Sequence, residues 1–307
     1  QFLFILGVFV FVLLVISLAF KALTTYAQVR FVEMREFSIS KRLVEGYLHQ
    51  PYEWFLSSNS ADLGKTILSE VQQLITYGIR PFTELFAKGM VTLALILLLI
   101  ITNPILALII GVFLGGTYAL IFYFLRGYLN RIGKRRLKNN QLRFITVSEA
   151  FGATKEVKVG GLEKVYIDNF SSSAQAFAKT QASSQVIGQL PRFILEGIAF
   201  GGVLLIILYL MAQEGSFNDA LPVLSLYVFA GYRLMPALQQ LYGSLTQLTF
   251  IGPTLDKINE DLKNLKQSKS IKDEKTLSFN KSIALKNIYY SYPNHSREVL
   301  KNINLTI

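Results

Sequence analysis

The sequence predicts an all-α polytopic membrane domain whose helices extend into the cytoplasm, followed by the first β-strands of a second domain. Three observations support this. The 307 residues are 51% hydrophobic, with a mean hydropathy of +0.39, and the apolar residues are concentrated in long blocks. The connections between blocks alternate between short acidic or uncharged loops and long basic segments. The last residues of the chain alternate as strands do.

Five apolar blocks are each long enough to cross a bilayer, because about 20 helical residues span a hydrocarbon core of about 30 Å. They comprise residues 2–20, 82–102, 104–125, 193–212 and 220–236. The first block lacks the basic start and the small-residue cleavage site of a signal peptide. Since the chain begins inside this block, we expect it to be a fragment.

The distribution of charge predicts the orientation. The turn at residues 103–104 and the loop at 213–219 carry no basic residue, whereas lysine and arginine are frequent in residues 21–79 and 126–189. Basic connections lie on the cytoplasmic side of a membrane. This accounts for the net charge of +11 without nucleic acid as a partner. With no cysteine and only two histidines, His49 and His295, no metal site is expected.

The long basic connections have few prolines and many helix-forming residues, so we expect the membrane helices to continue into the cytoplasm. Each connection is interrupted once, at residues 50–62 (QPYEWFLSSNSAD) and at residues 151–162 (FGATKEVKVGGL). The interruptions divide residues 1–103 and 104–212 into two similar down-and-up units, a quasi-repeat of roughly 105 residues. The basic run at residues 134–136 is expected to form a solvated or lipid-facing surface.

The composition changes after residue 265. We expect a membrane domain at residues 1–265, an exposed linker at 266–280 and the opening strands of a second domain at 281–307. Within the first strand, Ile283 and Leu285 alternate in one phase, and Ile288, Tyr290 and Tyr292 in the other. This change of phase predicts a β-bulge near residues 286–287.

Long cytoplasmic helices, two interrupted connections, a linker and strands ending in Tyr-x-Tyr-Pro together resemble an ABC exporter half-transporter. The segment IALKNIYYSYP looks like the opening of that family's nucleotide-binding domain. The resemblance implies that Tyr292 stacks on adenine, a contact worth about 1–3 kcal/mol by analogy with base stacking. The alternative is that Tyr290 and Tyr292 are only sheet residues.

The resemblance also implies an ATP-hydrolysing translocase that uses ATP and Mg, bound mainly by residues after Ile307. No G-x-x-x-x-G-K-[ST] motif occurs in the chain, so no catalytic residue is expected within it. One further membrane helix is implied before Phe2. The expected assembly is a homodimer in the inner (plasma) membrane, with its ATP-binding domain in the cytoplasm.

In the resembled family the two interruptions are coupling helices that press on the nucleotide-binding domains. The residues carried over to this role are Trp54, Phe55, Ser57 and Asp62 in the first interruption, and Phe151, Lys155, Glu156 and Lys158 in the second. The alternative is a pair of solvated connections.

Several ionisable residues fall at one depth within the apolar blocks. At about 1.5 Å per residue, Lys88, Glu196 and Arg233 lie roughly 20–22 Å from the outer ends of their helices. Glu84 and Arg192 lie one turn lower. Two interpretations stay open: ion pairs at i,i+4 that fix helix packing (Glu84 with Lys88, Arg192 with Glu196), or the wall of a substrate path that meets an anionic headgroup. The predicted path residues are Lys88, Arg192, Glu196 and Arg233.

The segments PRFILEGIAF and YRLMPAL are similar to those of PglK-type flippases, which move lipid-linked oligosaccharides. This similarity favours an ATP-driven flippase for a lipid-linked saccharide or a similar lipid-like substrate, with membrane lipid as a further partner, working by alternating access. One alternative is an ABC exporter of a peptide, drug or simple lipid. Another is a secondary transporter or channel that uses no ATP.

Overall fold

The structure, a computed structural model, describes residues 2–102, 104, 108, 111–212, 217–265, 282–291 and 298–307. Side chains are described throughout these ranges except at residues 99, 102, 113–114, 195, 198–199, 202–203, 205–207, 209–212 and 217–234. The predicted linker at 266–280 and Tyr292 lie outside the described residues.

The first helix, α1 (Phe2–Leu48), runs without interruption for 47 residues, or about 70 Å. Its apolar N-terminal part is exposed on every side, whereas Val32, Leu43 and Tyr47 are buried. Two helices in the described part of the chain, Phe2–Leu48 and Ser60–Leu98, are long and apolar enough to cross a membrane. Helix α1 thus continues past its lipid-compatible section without a break, as predicted, and its C-terminal part packs on protein.

The first interruption forms the short helix α2 (Tyr52–Leu56), and the chain then returns through α3 (Ser60–Lys65). Asn59 caps α3, because its side chain accepts a hydrogen bond from the Ala61 N–H at 2.9 Å. The returning helix then contains two π-helical turns, Thr66–Glu70 and Ile75–Ile79, separated by α4 (Val71–Leu74) and followed by α5 (Arg80–Thr102). Such turns recur at functional sites, and the sequence did not predict them.

The second unit begins with a π-helical turn (Gly111–Gly115) and continues as α6 (Gly116–Gly152). The interruption is α7 (Thr154–Gly160), and α8 (Glu163–Ala212) returns toward the membrane. The last helix, α9 (Phe217–Asn264), packs against α5, α6 and α8. Gly133 of α6 permits this packing, since a Cβ there would lie 2.2 Å from the Phe250 carbonyl oxygen.

An apolar core joins α1 and α4 to the C-terminal end of α9. Leu43, Val71, Ile75 and Ile258 are buried in it, and Trp54 packs against its edge. Burying such aliphatic side chains contributes roughly 1.5–3 kcal/mol each. This core therefore fixes the C-terminal part of α1 to α9.

The chain ends in an antiparallel hairpin of β1 (Ala284–Tyr290) and β2 (Leu300–Thr306). The register shifts between Leu285 and Ile288, and Asn287 has a φ of 51°. Asparagine tolerates this left-handed conformation better than most residues. The predicted bulge near residues 286–287 is confirmed.

Candidate functional site

A polar pocket lies where α5, α8 and α9 meet below the apolar blocks, with a volume of about 420 Å³. Glutamine dominates its lining, and the two buried serines Ser184 and Ser244 add hydroxyl groups. The glutamines are Gln185, Gln189, Gln239, Gln240 and Gln247. Pockets of this size accommodate small ligands or headgroups.

Helical spacing places these residues on facing surfaces. On α9, Pro236, Gln239, Gln240, Gly243 and Gln247 recur at intervals of one to four residues and lie on one face. On α8 the lining alternates in the same way from residue 184 to residue 189. This pocket was not predicted, although glutamine and serine recur at helical spacing on two long helices, which is the sequence signal for it.

Most of the pocket's hydrogen-bonding groups are uncommitted. Gln240 Nε2 donates to Glu84 Oε2 at 3.3 Å. In the described part of the chain, no side-chain hydrogen bond involves Gln185, Gln189, Gln239 or Gln247. Primary amides offer two donors and one acceptor oxygen each, so the pocket presents a dense array of neutral polar groups.

The first interruption, at residues 50–62, forms a tip of the structure that is held by its own aromatic side chains. Trp54 stacks on Tyr47 with 5.6 Å between ring centroids, and Phe55 meets Trp54 edge-on at 5.1 Å. Ser57 Oγ donates to the Trp54 carbonyl oxygen at 2.9 Å. Burial, reinforced by the Asp261 carboxylate, raises the pKa of the Tyr47 hydroxyl. These residues fasten α2 to the ends of α1 and α9.

The same tip touches the hairpin. Tyr290 Oη of β1 donates to Glu53 Oε1 of α2 at 2.5 Å, linking residues 237 positions apart in the chain. Neither the predicted tip residues nor the predicted adenine contact included this pair. It joins the first interruption directly to β1 of the hairpin.

The second tip, formed by the interruption at residues 151–162, is more exposed to solvent. Phe151 is 77% exposed, and Lys155 and Glu156 are exposed as well. Lys158 Nζ pairs with Glu163 Oε1 at 3.1 Å. A backbone N–H at the start of α8 and the Lys158 ammonium hold the pKa of Glu163 below its ordinary value. Beside this tip the ends of α6, α7 and α8 enclose an apolar groove of about 430 Å³.

The model of one protein family, the ABC transporter transmembrane region, matches residues 3–232. The chain belongs to this family. Its fold is similar to that of a bacterial Atm1-family ABC exporter solved with ATP bound, with a TM-score of 0.67 at 12% identity. The match covers 91% of this chain and 49% of that one, so the chain spans about half the length of the solved exporter.

The predicted fold class is therefore confirmed: this ABC transporter membrane domain is a mostly helical membrane protein with the ABC exporter transmembrane fold, followed by two strands.

Of the charges predicted at one depth, Arg192 and Glu196 form the i,i+4 pair, with Nε and Oε1 2.6 Å apart and the side chains 50% and 35% exposed. The pair that the spacing allows between Glu84 and Lys88 is not formed, because Glu84 accepts from Gln240 instead. Among the described residues no carboxylate lies within 4 Å of Lys88 Nζ. The side chain of Arg233 lies outside the described residues.

Asp62 of the first tip belongs to a charged network that includes the C-terminal part of α9. Its carboxylate lies 2.7 Å from Lys65 Nζ and 3.9 Å from Lys257 Nζ. Lys257 also approaches Asp261 at 3.3 Å. Asp62 therefore ties the start of α3 to α9.

A second network corrects the expectation of a basic surface at residues 134–136. Lys134 and Arg135 are exposed, but Arg136 is fully buried and donates to Glu70 Oε2 at 2.6 Å. Thr254 and Asn140 also hydrogen-bond to the Glu70 carboxylate, at 3.2 Å and 2.7 Å. A basic residue is buried here because α6 and α9 enclose an acidic residue of the π-helical turn, which the sequence pattern of α6 alone does not reveal.

Proposed function

We propose that the chain is the membrane part of an ATP-driven exporter that moves a lipid-linked saccharide out of the inner leaflet by alternating access. The observation that carries this proposal is the amide-lined pocket between α5, α8 and α9. In sequence, its lining begins one to two helical turns from the predicted path residues Lys88, Arg192, Glu196 and Arg233, on the side that would face the cytoplasm.

The order of layers fits such a substrate. Lys88 is one helical turn, about 6 Å, beyond Glu84 toward the membrane, and Arg192 is about 4.5 Å along the helix beyond Gln189. Apolar blocks are thus followed by a charged layer and then by neutral amides. A lipid diphosphate saccharide in the inner leaflet presents its tail, its phosphates and its sugar in the same order.

Each layer matches its part of the substrate chemically. Arginine binds phosphate oxygens through paired N–H groups, and lysine contributes a point charge. Amide side chains both donate and accept, as sugar hydroxyls do. The free amides of Gln185, Gln189, Gln239 and Gln247 supply this function at the cytoplasmic end of the path.

Energy would come from ATP with Mg, bound mainly by the rest of the domain that the hairpin begins, with Tyr292 stacking on adenine. This assigns residues 1–265 to the membrane domain, 266–280 to a linker and 281–307 to the ATP-binding domain in the cytoplasm. Because each chain would supply one such domain, we propose a homodimer in the inner membrane. The contact between Tyr290 and Glu53 supports coupling of the first tip to this domain, because it joins α2 to the hairpin that we propose opens the domain.

The two tips would act as coupling elements, through Trp54, Phe55, Ser57 and Asp62 at the first and Phe151, Lys155, Glu156 and Lys158 at the second. The exposed Phe151 and the adjoining apolar groove favour a protein partner over solvent at the second tip. Closure of two ATP-binding domains would then move the long helices as rigid bodies.

A peptide is the second candidate cargo, because peptide amides would bond to the same pocket. The experiment is a flipping assay with the full-length protein in proteoliposomes, using a fluorescent polyprenyl diphosphate saccharide and a fluorescent peptide. The proposal expects ATP-dependent movement of the saccharide lipid and none with a non-hydrolysable analogue. Movement of the peptide alone would identify a peptide as the cargo in place of the saccharide lipid. Movement of either probe without ATP would refute the ATP-driven mechanism.

A further inference from the structure

We infer that the amide pocket binds an uncharged, hydroxyl-rich group, and that Glu84 excludes anionic groups from it. The ligand would therefore enter with its neutral end in the pocket and its anionic end toward Lys88. This inference rests on the proposed function, because it assigns the saccharide end of the cargo to a defined set of side chains.

The charge of the pocket supports exclusion of anions. Glu84 is the single ionisable carboxylate in the described lining, and no lysine, arginine or histidine accompanies it there. Its hydrogen-bond partner is the neutral amide of Gln240, and no cation among the described residues lies within 4 Å of its carboxylate. Among the described residues, the Glu84 carboxylate is thus not paired with a cation.

The position of Lys88 gives the pocket a direction. Lys88 and Glu84 are four residues apart on α5 and share a face of that helix. Lys88 is half-buried, and Thr92 Oγ1 bonds to its backbone carbonyl rather than to its ammonium. Glu84, at the pocket, would repel a phosphate, and Lys88, one turn nearer the membrane, would attract it. Together these two charges orient the ligand.

The pocket also has room for a ring. A Cβ at Gly243 would meet no atom within 4 Å, and a Cβ at Gly188 would make only ordinary contact with Thr246 at 3.9 Å. These two glycines line the cavity from α9 and α8. Glycine at both positions leaves space where side chains would otherwise fill the gap between the helices.

The test is equilibrium binding to the full-length protein in nanodiscs without ATP. The probes are a short-chain lipid disaccharide and the same compound with one hydroxymethyl group replaced by a carboxylate. A single nearby unit charge at a partly hydrated site corresponds to about tenfold in affinity, so we expect the neutral probe to bind about tenfold tighter. Glu84→Gln should reduce this preference to about twofold or less, whereas Glu260→Gln, exposed on α9 outside the pocket, should leave it unchanged.

A second pair of variants tests the location. Gly243→Leu should weaken binding of both probes about tenfold or more, because its side chain occupies the pocket. Gly252→Leu is the matched control on the same helix, since a Cβ there also meets no atom within 4 Å and Gly252 does not line the pocket. Equal binding of the two probes by the unsubstituted protein, or normal binding by Gly243→Leu, would overturn the inference.

The outcomes separate the inference from the proposed function. Suppose that charge selectivity disappears in Glu84→Gln but the saccharide lipid is not flipped with ATP. The pocket assignment would then stand, and the proposed cargo would be refuted. Flipping without charge selectivity would refute the role of Glu84 and leave the exporter intact.

Discussion

The buried pair of Arg136 and Glu70 allows the sharpest prediction about stability. Arg136 and Glu70 are both fully buried, and the Arg136 guanidinium donates to Glu70 and to Thr254. Replacing Arg136 with methionine leaves a buried carboxylate without its countercharge. Breaking such a pair costs about 3–5 kcal/mol.

The two single substitutions should lower the free energy of unfolding by different amounts. In Arg136→Met, Glu70 keeps hydrogen bonds from Asn140 and Thr254, so we expect the lower limit, about 3 kcal/mol. In Glu70→Leu, the stranded guanidinium has two nitrogens, Nε and Nη1, that already lack a hydrogen-bond partner in the described part of the chain. The cost should therefore approach about 5 kcal/mol. The double variant removes both charges and should lie within about 1–2 kcal/mol of the unsubstituted protein.

The assay is thermal unfolding of the detergent-solubilised full-length protein, followed by fluorescence. At about 2–4 °C per kcal/mol, Arg136→Met should lower Tm by about 6–12 °C. Arg135→Met, at the exposed neighbouring position, should shift Tm by less than about 2 °C. The reasoning would be refuted if Arg136→Met left Tm unchanged. It would also be refuted if the double variant had a Tm no higher than that of the less stable single variant.

Three further predictions follow from other contacts. Gly133→Ala should destabilise the protein by about 2 kcal/mol in the same assay, because its Cβ would lie 2.2 Å from a backbone oxygen of α9, whereas Gly127→Ala meets no atom and should not. Tyr290→Phe removes the hydrogen bond to Glu53. Stimulation of ATPase activity by the cargo should therefore fall, while the basal ATPase rate stays unchanged. Unchanged stimulation would contradict a coupling role for this contact. Arg233→Ala should lower transport more than it lowers the amount of folded protein, and equal losses in both measurements would leave only a packing role.

The course of the chain could largely be predicted from its sequence. Block length and charge asymmetry predicted long helices that leave the membrane, and α1 and α9 have that length. The segment at residues 50–62 predicted an interruption, and within it Asn59 caps α3. The change of phase between Leu285 and Ile288 predicted the bulge. These are local signals, and local signals are what a single sequence contains.

The features that were missed depend on contacts between distant segments. Arg136 is buried because Glu70 and Thr254, far away in sequence, meet it, and its basic neighbours on α6 suggested only a surface. The glutamine pocket forms only when α5, α8 and α9 meet, and the π-helical turns of the returning helix leave no clear pattern in composition. Glu84 likewise could be assigned to Lys88 by spacing, but Gln240 from α9 is its partner.

Labelling of a single cysteine in the pocket tests the central claim most directly, namely that this pocket is the cytoplasm-facing site of an alternating-access exporter. The 307 residues contain no cysteine, so Gln189→Cys can be introduced into a cysteine-free full-length protein in inside-out vesicles. A membrane-impermeant maleimide should react with it rapidly before ATP is added and slowly after trapping with ATP and vanadate. A cysteine at the exposed position Arg35 of α1 should react equally in both states. Equal labelling of the Gln189 position with and without ATP would contradict the account.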